Sequence, residues 1–205
     1  MAIKPNREYR SFVLEKRDEE PQEEDYKVRG YASTFEEYTL FSDGDVDYNE
    51  RIEPTAFDEA DMSDVIFLYN HEGMVYARQK NGTLDISVDE RGLLTEADLS
   101  TTEQSRQMFE QIRSGLVDQM SFAFTVAEDE LEKNKGSYTR VIKRIGKVYD
   151  VSAVSIPANP DTDISAISAR DYFNGVIEAE QAERLAEEQR RKQIQKIRIL
   201  SEVTK

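Results

Sequence analysis

Apolar and polar residues alternate along much of the chain between residues 26 and 156, and this alternation predicts β-strands. In the clearest case, Met120-Ser-Phe-Ala-Phe-Thr-Val126, the large apolar residues share one face of a strand and Ser121 lies on the other. The run Val65-Ile-Phe-Leu-Tyr69 is continuously apolar, which is typical of a buried strand. Comparable stretches predict strands at 26–35, 83–88, 92–99, 139–145 and 147–156. Since turns separate them closely, without regular βαβ alternation, they favour an antiparallel barrel or sandwich.

Other local signals predict the helices and turns between these strands. Thr101 and Thr102 are both suitable N-caps for a helix that extends to about Arg113, and a shorter helix is expected over residues 55–62. The dipeptide Asn81-Gly82 predicts a hairpin turn, and the acidic stretch at 128–135 is expected to be a loop.

The two ends of the chain differ from the middle in composition. Residues 1–26 are expected to form a poorly ordered acidic leader, because 15–25 is a run of charged residues of the kind that stays solvated. Residues 169–205 are expected to form a charged helical tail, with glutamates early and basic residues late, as the helix dipole favours. The remaining segment, 27–168, is the predicted β-rich domain.

Composition and charge exclude several classes of function. The net charge of −15 disfavours binding to nucleic acid or to anionic membrane surfaces. No apolar stretch is long enough to span a bilayer, and the N-terminus carries no apolar signal segment. The absence of cysteine excludes disulfides, a thiol nucleophile and a thiolate metal site. No metal or cofactor is expected.

The chain contains a single histidine, His71, so any mechanism that needs a histidine must use it. Two-histidine metal motifs are thereby excluded within one chain, and no G-x-S-x-G, P-loop or dinucleotide motif is present. The aspartates at 43, 45 and 47 resemble the start of an EF-hand loop. Tyr48 stands where that loop requires glycine, which favours an acidic surface turn instead.

Three residues are candidates for chemistry, and each has an ordinary structural alternative. His71 follows a buried strand, where histidines more often have a structural role than a catalytic one. Ser121 lies on a small-residue strand face that leaves room for a substrate, or it faces solvent on an edge strand. Asp150 interrupts an apolar strand, where a carboxylate needs a partner such as histidine, or it points to water from an edge.

The order of several segments resembles that of the prohead (capsid maturation) proteases of tailed bacteriophages. The resemblance spans residues 27–170. The segments that carry it are Gly30-Tyr-Ala-Ser-Thr-Phe35, Ile52-Glu-Pro-Thr-Ala-Phe57, Leu68-Tyr-Asn-His71, Gly82-Thr-Leu84, Asp89-Glu-Arg-Gly-Leu93, Met120-Ser-Phe-Ala-Phe124, Val148-Tyr-Asp-Val-Ser152 and Pro157-Ala-Asn-Pro-Asp-Thr162.

This resemblance implies a serine endopeptidase of the herpesvirus-assemblin type: an antiparallel β-barrel ringed by helices, here followed by the charged C-terminal helix. It implies Ser121 as nucleophile and His71 as base. Asp150 falls where the family has a glutamate, and Asp161 is the alternative third member. The segment between Pro157 and Pro160 is a candidate for the oxyanion hole.

The resemblance also implies the biological setting. Such enzymes act in the host bacterial cytoplasm, inside the assembling procapsid, where they remove the scaffolding segment of the major capsid protein and often cut themselves. The similar assemblins act as homodimers. Two alternatives remain from the sequence: a catalytically silent scaffold or capsid-assembly protein with the same fold, and a non-viral hydrolase on a related barrel.

Overall fold

A computed structural model describes residues 7–13, 26–155 and 164–203, and these residues are mainly β-strand. The elements are, in chain order, β1 (Glu8–Val13), β2 (Lys27–Thr34), β3 (Tyr38–Asp43), β4 (Val46–Ile52), β5 (Ile66–Tyr69), β6 (Glu72–Arg78), β7 (Leu84–Val88), β8 (Gly92–Asp98), α1 (Glu103–Arg113), β9 (Gln119–Asn134), β10 (Ser137–Val154) and α2 (Ile164–Val203). The mainly β class expected from the sequence is confirmed.

Strand β10 is the centre of the larger, seven-stranded sheet. Five of its strands follow the order β1-β9-β10-β4-β3, and the other two extend from β10, with β5 paired to β10 and β6 paired to β5. Antiparallel β9 covers one edge of β10. The other edge carries β4 along its first part and β5 along its last part, both parallel to β10. Between them a parallel bridge joins Asp61 to Lys147, so residues 46–69 follow β10 along almost its whole length. The sheet is therefore mixed, whereas the sequence predicted an antiparallel one.

No closed barrel is formed by the strands of the described residues. Strands β1 and β3 lie at opposite ends of the sheet order and are not paired with each other. Their side chains nevertheless meet, because the rings of Phe12 and Tyr38 pack edge to face with centroids 5.4 Å apart. The sheet thus curls until its two ends touch through side chains, without the main-chain pairing that a closed barrel requires.

A second sheet has three antiparallel strands in the order β2-β8-β7. It confirms the strands predicted at 26–35, 83–88 and 92–99. The Asn81-Gly82 dipeptide does not join paired strands, so the predicted hairpin is wrong: β6 belongs to the large sheet and β7 to the small one. Gly82, at a φ of 75°, instead ends a short 3₁₀ turn at Gln79–Asn81.

Helix α1 confirms the helix predicted to follow Thr101 and Thr102. Of these two residues, Thr102 is the N-cap, since its side chain accepts a hydrogen bond from the Ser105 amide. Its buried residues Met108 and Ile112 join the core, together with Phe67, Phe122 and other apolar residues of the sheets. The second predicted helix, at 55–62, is only a 3₁₀ turn at Pro54–Phe57. After this turn the chain continues beside β10 and forms the bridge from Asp61 to Lys147, which a helix as far as residue 62 would not allow.

The hairpin of β9 and β10 is longer than the sequence predicted. The expected acidic loop at 128–135 is wrong, because β9 continues to Asn134 and turns back at Gly136, which has a φ of 87°. The two strands predicted at 139–145 and 147–156 are one strand, β10, with irregular pairing to β9 near residues 142–150. Ion pairs between strands, Lys143 of β10 with Glu130 and Arg51 of β4 with Glu132, stabilise a hairpin end that has little apolar surface.

Strand β1 was not expected, since it lies within the stretch assigned to the acidic leader. It pairs with β9 from Glu8 to Val13. Arg10 anchors it, because its guanidinium donates to both carboxylate oxygens of the buried Glu50 at 2.5 and 2.7 Å. The Tyr38 hydroxyl donates to the same carboxylate at 2.5 Å, and Arg140 lies 3.5 Å from it.

Burial alone would lower the pKa of Arg10, but the charges of Glu50, Tyr38 and Glu8 and the hydrogen bond to Glu50 together outweigh it and hold that pKa well above its ordinary value. Arg10 is therefore charged at neutral pH. A buried, bidentate pair of this kind is costly to break from one side, because the remaining charge has no water around it.

The chain divides into two compact units, Met1–Ala166 and Ile167–Lys205. In the second unit, α2 is exposed over residues 181–195 and carries the i,i+4 ion pairs Glu187–Arg191 and Glu188–Lys192. No helix in the described ranges combines the length and the apolar character needed to cross a membrane.

We expect Arg10→Met to lower the free energy of unfolding by about 3–5 kcal/mol, because Glu50 would lose its bidentate partner while remaining buried. Arg29→Met is the matched control: it removes an arginine from the exposed pair with Glu96 and should cost about 0–1 kcal/mol. Urea unfolding followed by tyrosine fluorescence measures both losses, since the chain has no tryptophan. Equal losses in the two variants would contradict the anchoring role of Arg10.

Candidate active site

Ser121 lies on β9 between two neighbouring strands. Its Cα is opposite Ser152 of β10 on one side and Ser11 of β1 on the other. The alternation predicted from the sequence is observed, since Phe122 packs in the core and its ring stacks on that of Phe124. Both faces of β9 are buried here, however, so Ser121 does not face solvent.

His71 occupies the second position of the two-residue turn that joins β5 to β6. Tyr69 pairs with Glu72 across the turn, and Asn70 and His71 have φ angles of 49° and 59°. Two positive φ values are the signature of a type I′ hairpin turn, in which the second position normally belongs to glycine. A histidine there strains the backbone at a cost of about 1–3 kcal/mol. In this turn conformation the imidazole lies against β9 and β10.

Asp150 lies on β10 and forms the third part of the arrangement. Its Oδ1 is 2.6 Å from Nδ1 of His71, and Nε2 of His71 is 2.7 Å from the Ser121 hydroxyl oxygen. Because a carboxylate only accepts, Nδ1–H donates to Asp150, which leaves the Nε2 lone pair to accept from Ser121. The structure therefore brings all three sequence candidates into one hydrogen-bonded chain.

The shorter side chain of aspartate spans the distance to His71 because of strand pairing. Asp150 is opposite Ile66 of β5 and Ala123 of β9, so its Cα lies only a few residues from the hairpin turn that carries the imidazole. A glutamate is not needed to make this contact. Asp161 and the segment from Pro157 to Pro160 lie outside the described residues.

Two further residues contact the hydrogen-bonded side chains of Asp150, His71 and Ser121. The sequence analysis identified neither of them. The Ser152 hydroxyl oxygen is 3.0 Å from Asp150 Oδ1 and 3.2 Å from both Nδ1 and the main-chain nitrogen of His71. The ring of Tyr9 packs edge to face on the His71 ring, with centroids 4.6 Å apart. Ser152 is two residues from Asp150 on a strand, so the alternation places both on one face. No sequence signal linked Tyr9 to the site.

The arrangement is closed to solvent. Ser121 has 0% of its surface exposed, and the side chains of His71 and Asp150 have 6% and 5% exposed. A reagent or substrate can reach the Ser121 oxygen only after a covering group moves. Tyr9 is such a group, because it is partly exposed and lies directly against His71.

Tyr9 is the neighbour of the site whose titration is shifted by its surroundings. Burial, and to a smaller extent the negative charge of Asp150, raise the pKa of the Tyr9 hydroxyl above its ordinary value. Tyr9 therefore remains uncharged next to Asp150 at neutral pH. Among the described residues, no three histidine, aspartate or glutamate side chains are grouped so that they could hold a metal ion.

Chemically, the chain Asp150–His71–Ser121 is equipped for nucleophilic attack. Nε2 of His71 can accept the proton of the Ser121 hydroxyl as its oxygen attacks a carbonyl carbon, and Asp150 can stabilise the imidazolium that forms. The observed distances of 2.6 and 2.7 Å fall within the range that proton transfer requires.

Comparison with known proteins supplies an independent result. The family model described as caudovirus prohead serine protease matches residues 12–176, which is most of the 205-residue chain. The matched range includes Ser121, His71, Asp150 and Ser152, and it begins after Tyr9. Searches of curated proteins and of solved structures found no match.

We expect Asp150→Asn to slow the reaction of Ser121 with a fluorophosphonate by roughly 10⁴-fold. The amide can donate to Nδ1 and so favour the tautomer with a proton on Nε2, which then cannot accept from Ser121. Asp118→Asn makes the same chemical change at an exposed position and should react like the wild type. The labelling rate, followed by intact mass, measures the effect. A rate for Asp150→Asn near that of the control would exclude the carboxylate from the site.

We expect Tyr9→Ala to speed the same labelling reaction, because removal of the ring opens a route to a serine that has no exposed surface. Tyr9→Phe keeps the ring and should label at the wild-type rate. A slower reaction in Tyr9→Ala than in Tyr9→Phe would mean that the ring supports His71 more than it covers the site.

Proposed function

Since the chain belongs to the family of caudovirus prohead serine proteases, which makes it a serine peptidase, we propose that it cleaves the scaffolding segment of the major capsid protein during capsid assembly. In this proposal Ser121 is the nucleophile, His71 the general base and acid, and Asp150 the carboxylate partner of His71. The observation that carries the assignment is the continuous hydrogen-bonded chain from Asp150 through both ring nitrogens of His71 to Ser121.

The proposed reaction has two stages. In the first, the Ser121 oxygen attacks the scissile carbonyl while Nε2 of His71 takes the hydroxyl proton, and the same nitrogen then returns the proton to the leaving amine. In the second, water attacks the acyl-enzyme, again with His71 as base, and releases the new carboxylate. Asp150 remains ionised throughout and keeps Nδ1 protonated. The first proton transfer, from Ser121 to His71, joins atoms that are already 2.7 Å apart.

A prohead protease acts inside the assembling procapsid, and its partners are capsid proteins. We propose the host bacterial cytoplasm as the place of assembly and the major capsid protein as the substrate. Self-cleavage that removes the tail at 169–205 is a further part of the proposal, as is a homodimer like that of the assemblins. The curled, mainly β sheet supports a relationship to the assemblin fold.

The alternative of a catalytically silent assembly protein is not favoured. In a protein without activity, a strained histidine turn aligned with a buried serine and a buried carboxylate would lower stability without serving a function. Burial of Asp150 and retention of His71 at a positive φ both cost free energy, and the fold keeps both.

We expect co-expression with the cognate capsid protein to yield a truncated capsid protein with the wild type and a full-length one with Ser121→Ala. Ser114→Ala, at the exposed end of α1, is the matched control and should behave like the wild type. Electrophoresis and intact mass of the capsid protein measure the outcome. Equal truncation with the wild type and Ser121→Ala would rule out Ser121 as nucleophile.

The same samples report self-cleavage. The mass of the wild-type protease is expected to fall during co-expression, whereas Ser121→Ala is expected to keep its full mass. A wild-type protease that truncates the capsid protein yet retains its own full mass would refute self-cleavage. The conclusion that the capsid protein is the substrate would still hold.

A further inference from the structure

We propose that Ser152 is a positioning residue of the site: its hydroxyl holds the His71 main chain and the Asp150 carboxylate in register, and thereby fixes the imidazole for Ser121. The inference deepens the proposed function and rests on it for the identity of the nucleophile. Ser152 lies within the matched family range, but its side chain does not contact Ser121 through any hydrogen bond described for the site.

The hydroxyl of Ser152 has three hydrogen-bonding capacities, and the site uses all of them. It donates its proton to Asp150 Oδ1 at 3.0 Å. It accepts the main-chain N–H of His71 at 3.2 Å, and it lies at the same distance from Nδ1, whose proton it shares with Asp150. One donor and two acceptor sites are what a serine hydroxyl offers. Ser152 therefore links the backbone of the turn, the imidazole and the carboxylate in one group.

The position of Ser152 on the sheet makes this link rigid. Its Cα is opposite Ser121 on the β9 side and opposite Leu68 on the β5 side, so it lies between the nucleophile strand and the strand that leads to His71. Ser152 has no exposed surface, and both neighbouring strands are fixed to β10 by main-chain pairing. A hydroxyl in such a place has few alternative rotamers or water partners.

The link is needed because His71 is held in a conformation that its backbone does not favour. At a φ of 59°, the residue gains stability only from contacts that the surrounding structure provides. The bond from its main-chain N–H to Ser152 is one such contact, and the bond from Asn70 N–H to the Ala153 carbonyl is another. Both partners lie on β10, so this strand determines where the turn places the imidazole.

Ser152 itself is poorly suited to act as nucleophile. Its proton is directed to Asp150, and the nitrogen that it contacts is Nδ1, which already donates to that carboxylate. The free lone pair of the neutral imidazole is on Nε2, which faces Ser121. Ser152 consequently acts through His71 and Asp150 and does not take part in bond formation.

The test compares Ser152→Ala with Ser155→Ala in the full chain. Ser155 is a matched control, since its hydroxyl accepts from Tyr69 nearby and makes no described contact with His71 or Asp150. With ¹⁵N-labelled histidine the spectrum reports one imidazole, because His71 is the only histidine. We expect the wild type and Ser155→Ala to show a protected, downfield Nδ1 proton, and Ser152→Ala to lose it to exchange with water.

The second readout is the rate at which a fluorophosphonate labels Ser121. Loss of a hydrogen bond to a charged group is expected to slow labelling by roughly 10- to 100-fold in Ser152→Ala. Ser152→Thr retains the hydroxyl on a β-branched side chain suited to a strand and should retain both the Nδ1 proton and most of the rate. Thermal unfolding of each variant establishes that the comparison is between folded proteins.

An Nδ1 proton and a labelling rate in Ser152→Ala equal to those of Ser155→Ala would overturn the inference. Loss of the Nδ1 proton in both Ser152→Ala and Ser152→Thr would also overturn it, since the hydroxyl would then not be the cause. The spectrum decides independently of activity. If the wild type shows the Nδ1 proton but Ser121 is never labelled, the proposed function is wrong. The comparison of the Nδ1 proton between Ser152→Ala and Ser155→Ala still tests the positioning role of Ser152.

Discussion

The pairing of β10 with β9 on one edge and with β5 on the other is the constraint on which the site depends. It places Asp150 and Ser152 of β10 beside Ser121 of β9 and beside the turn after β5 that carries His71. Main-chain hydrogen bonds between these strands fix the position of each functional residue relative to the next, so their placement does not depend on an independent loop. This explains how distances of 2.6 and 2.7 Å are held with a residue at positive φ in the middle of the chain.

Local sequence was sufficient for some of these elements and not for others. The alternation around Ser121 and the Thr102 cap are properties of a few neighbouring residues, and both were predicted correctly. The parallel pairing of β5 with β10 joins residues more than 80 positions apart, and no local pattern encodes it. The acidic stretch at 128–135 misled the prediction, because cross-strand charge pairs can stabilise a polar ribbon that lies away from the core. Strand β1 was missed because the contact that anchors it, between Arg10 and Glu50, joins residues that come together only in the folded sheet.

The site and the anchor of β1 are two buried polar clusters that depend on the same curled sheet. Arg10 fixes β1 against Glu50, and the preceding residue, Tyr9, consequently lies against His71. The N-terminal strand is therefore coupled to the base of the proposed protease, although it lies before the matched family range. Ser121 has no exposed surface, so the proposed nucleophile becomes accessible only when a covering group such as Tyr9 moves.

The central claim is that His71 activates Ser121 and not Ser152, whose hydroxyl oxygen lies 3.2 Å from the other ring nitrogen. The most direct measurement is peptide mapping of the covalent adduct formed when the folded chain reacts with a fluorophosphonate. The account predicts a single adduct, on Ser121. An adduct on Ser152 or on another serine, or the absence of any adduct in a preparation that cleaves capsid protein, would contradict it.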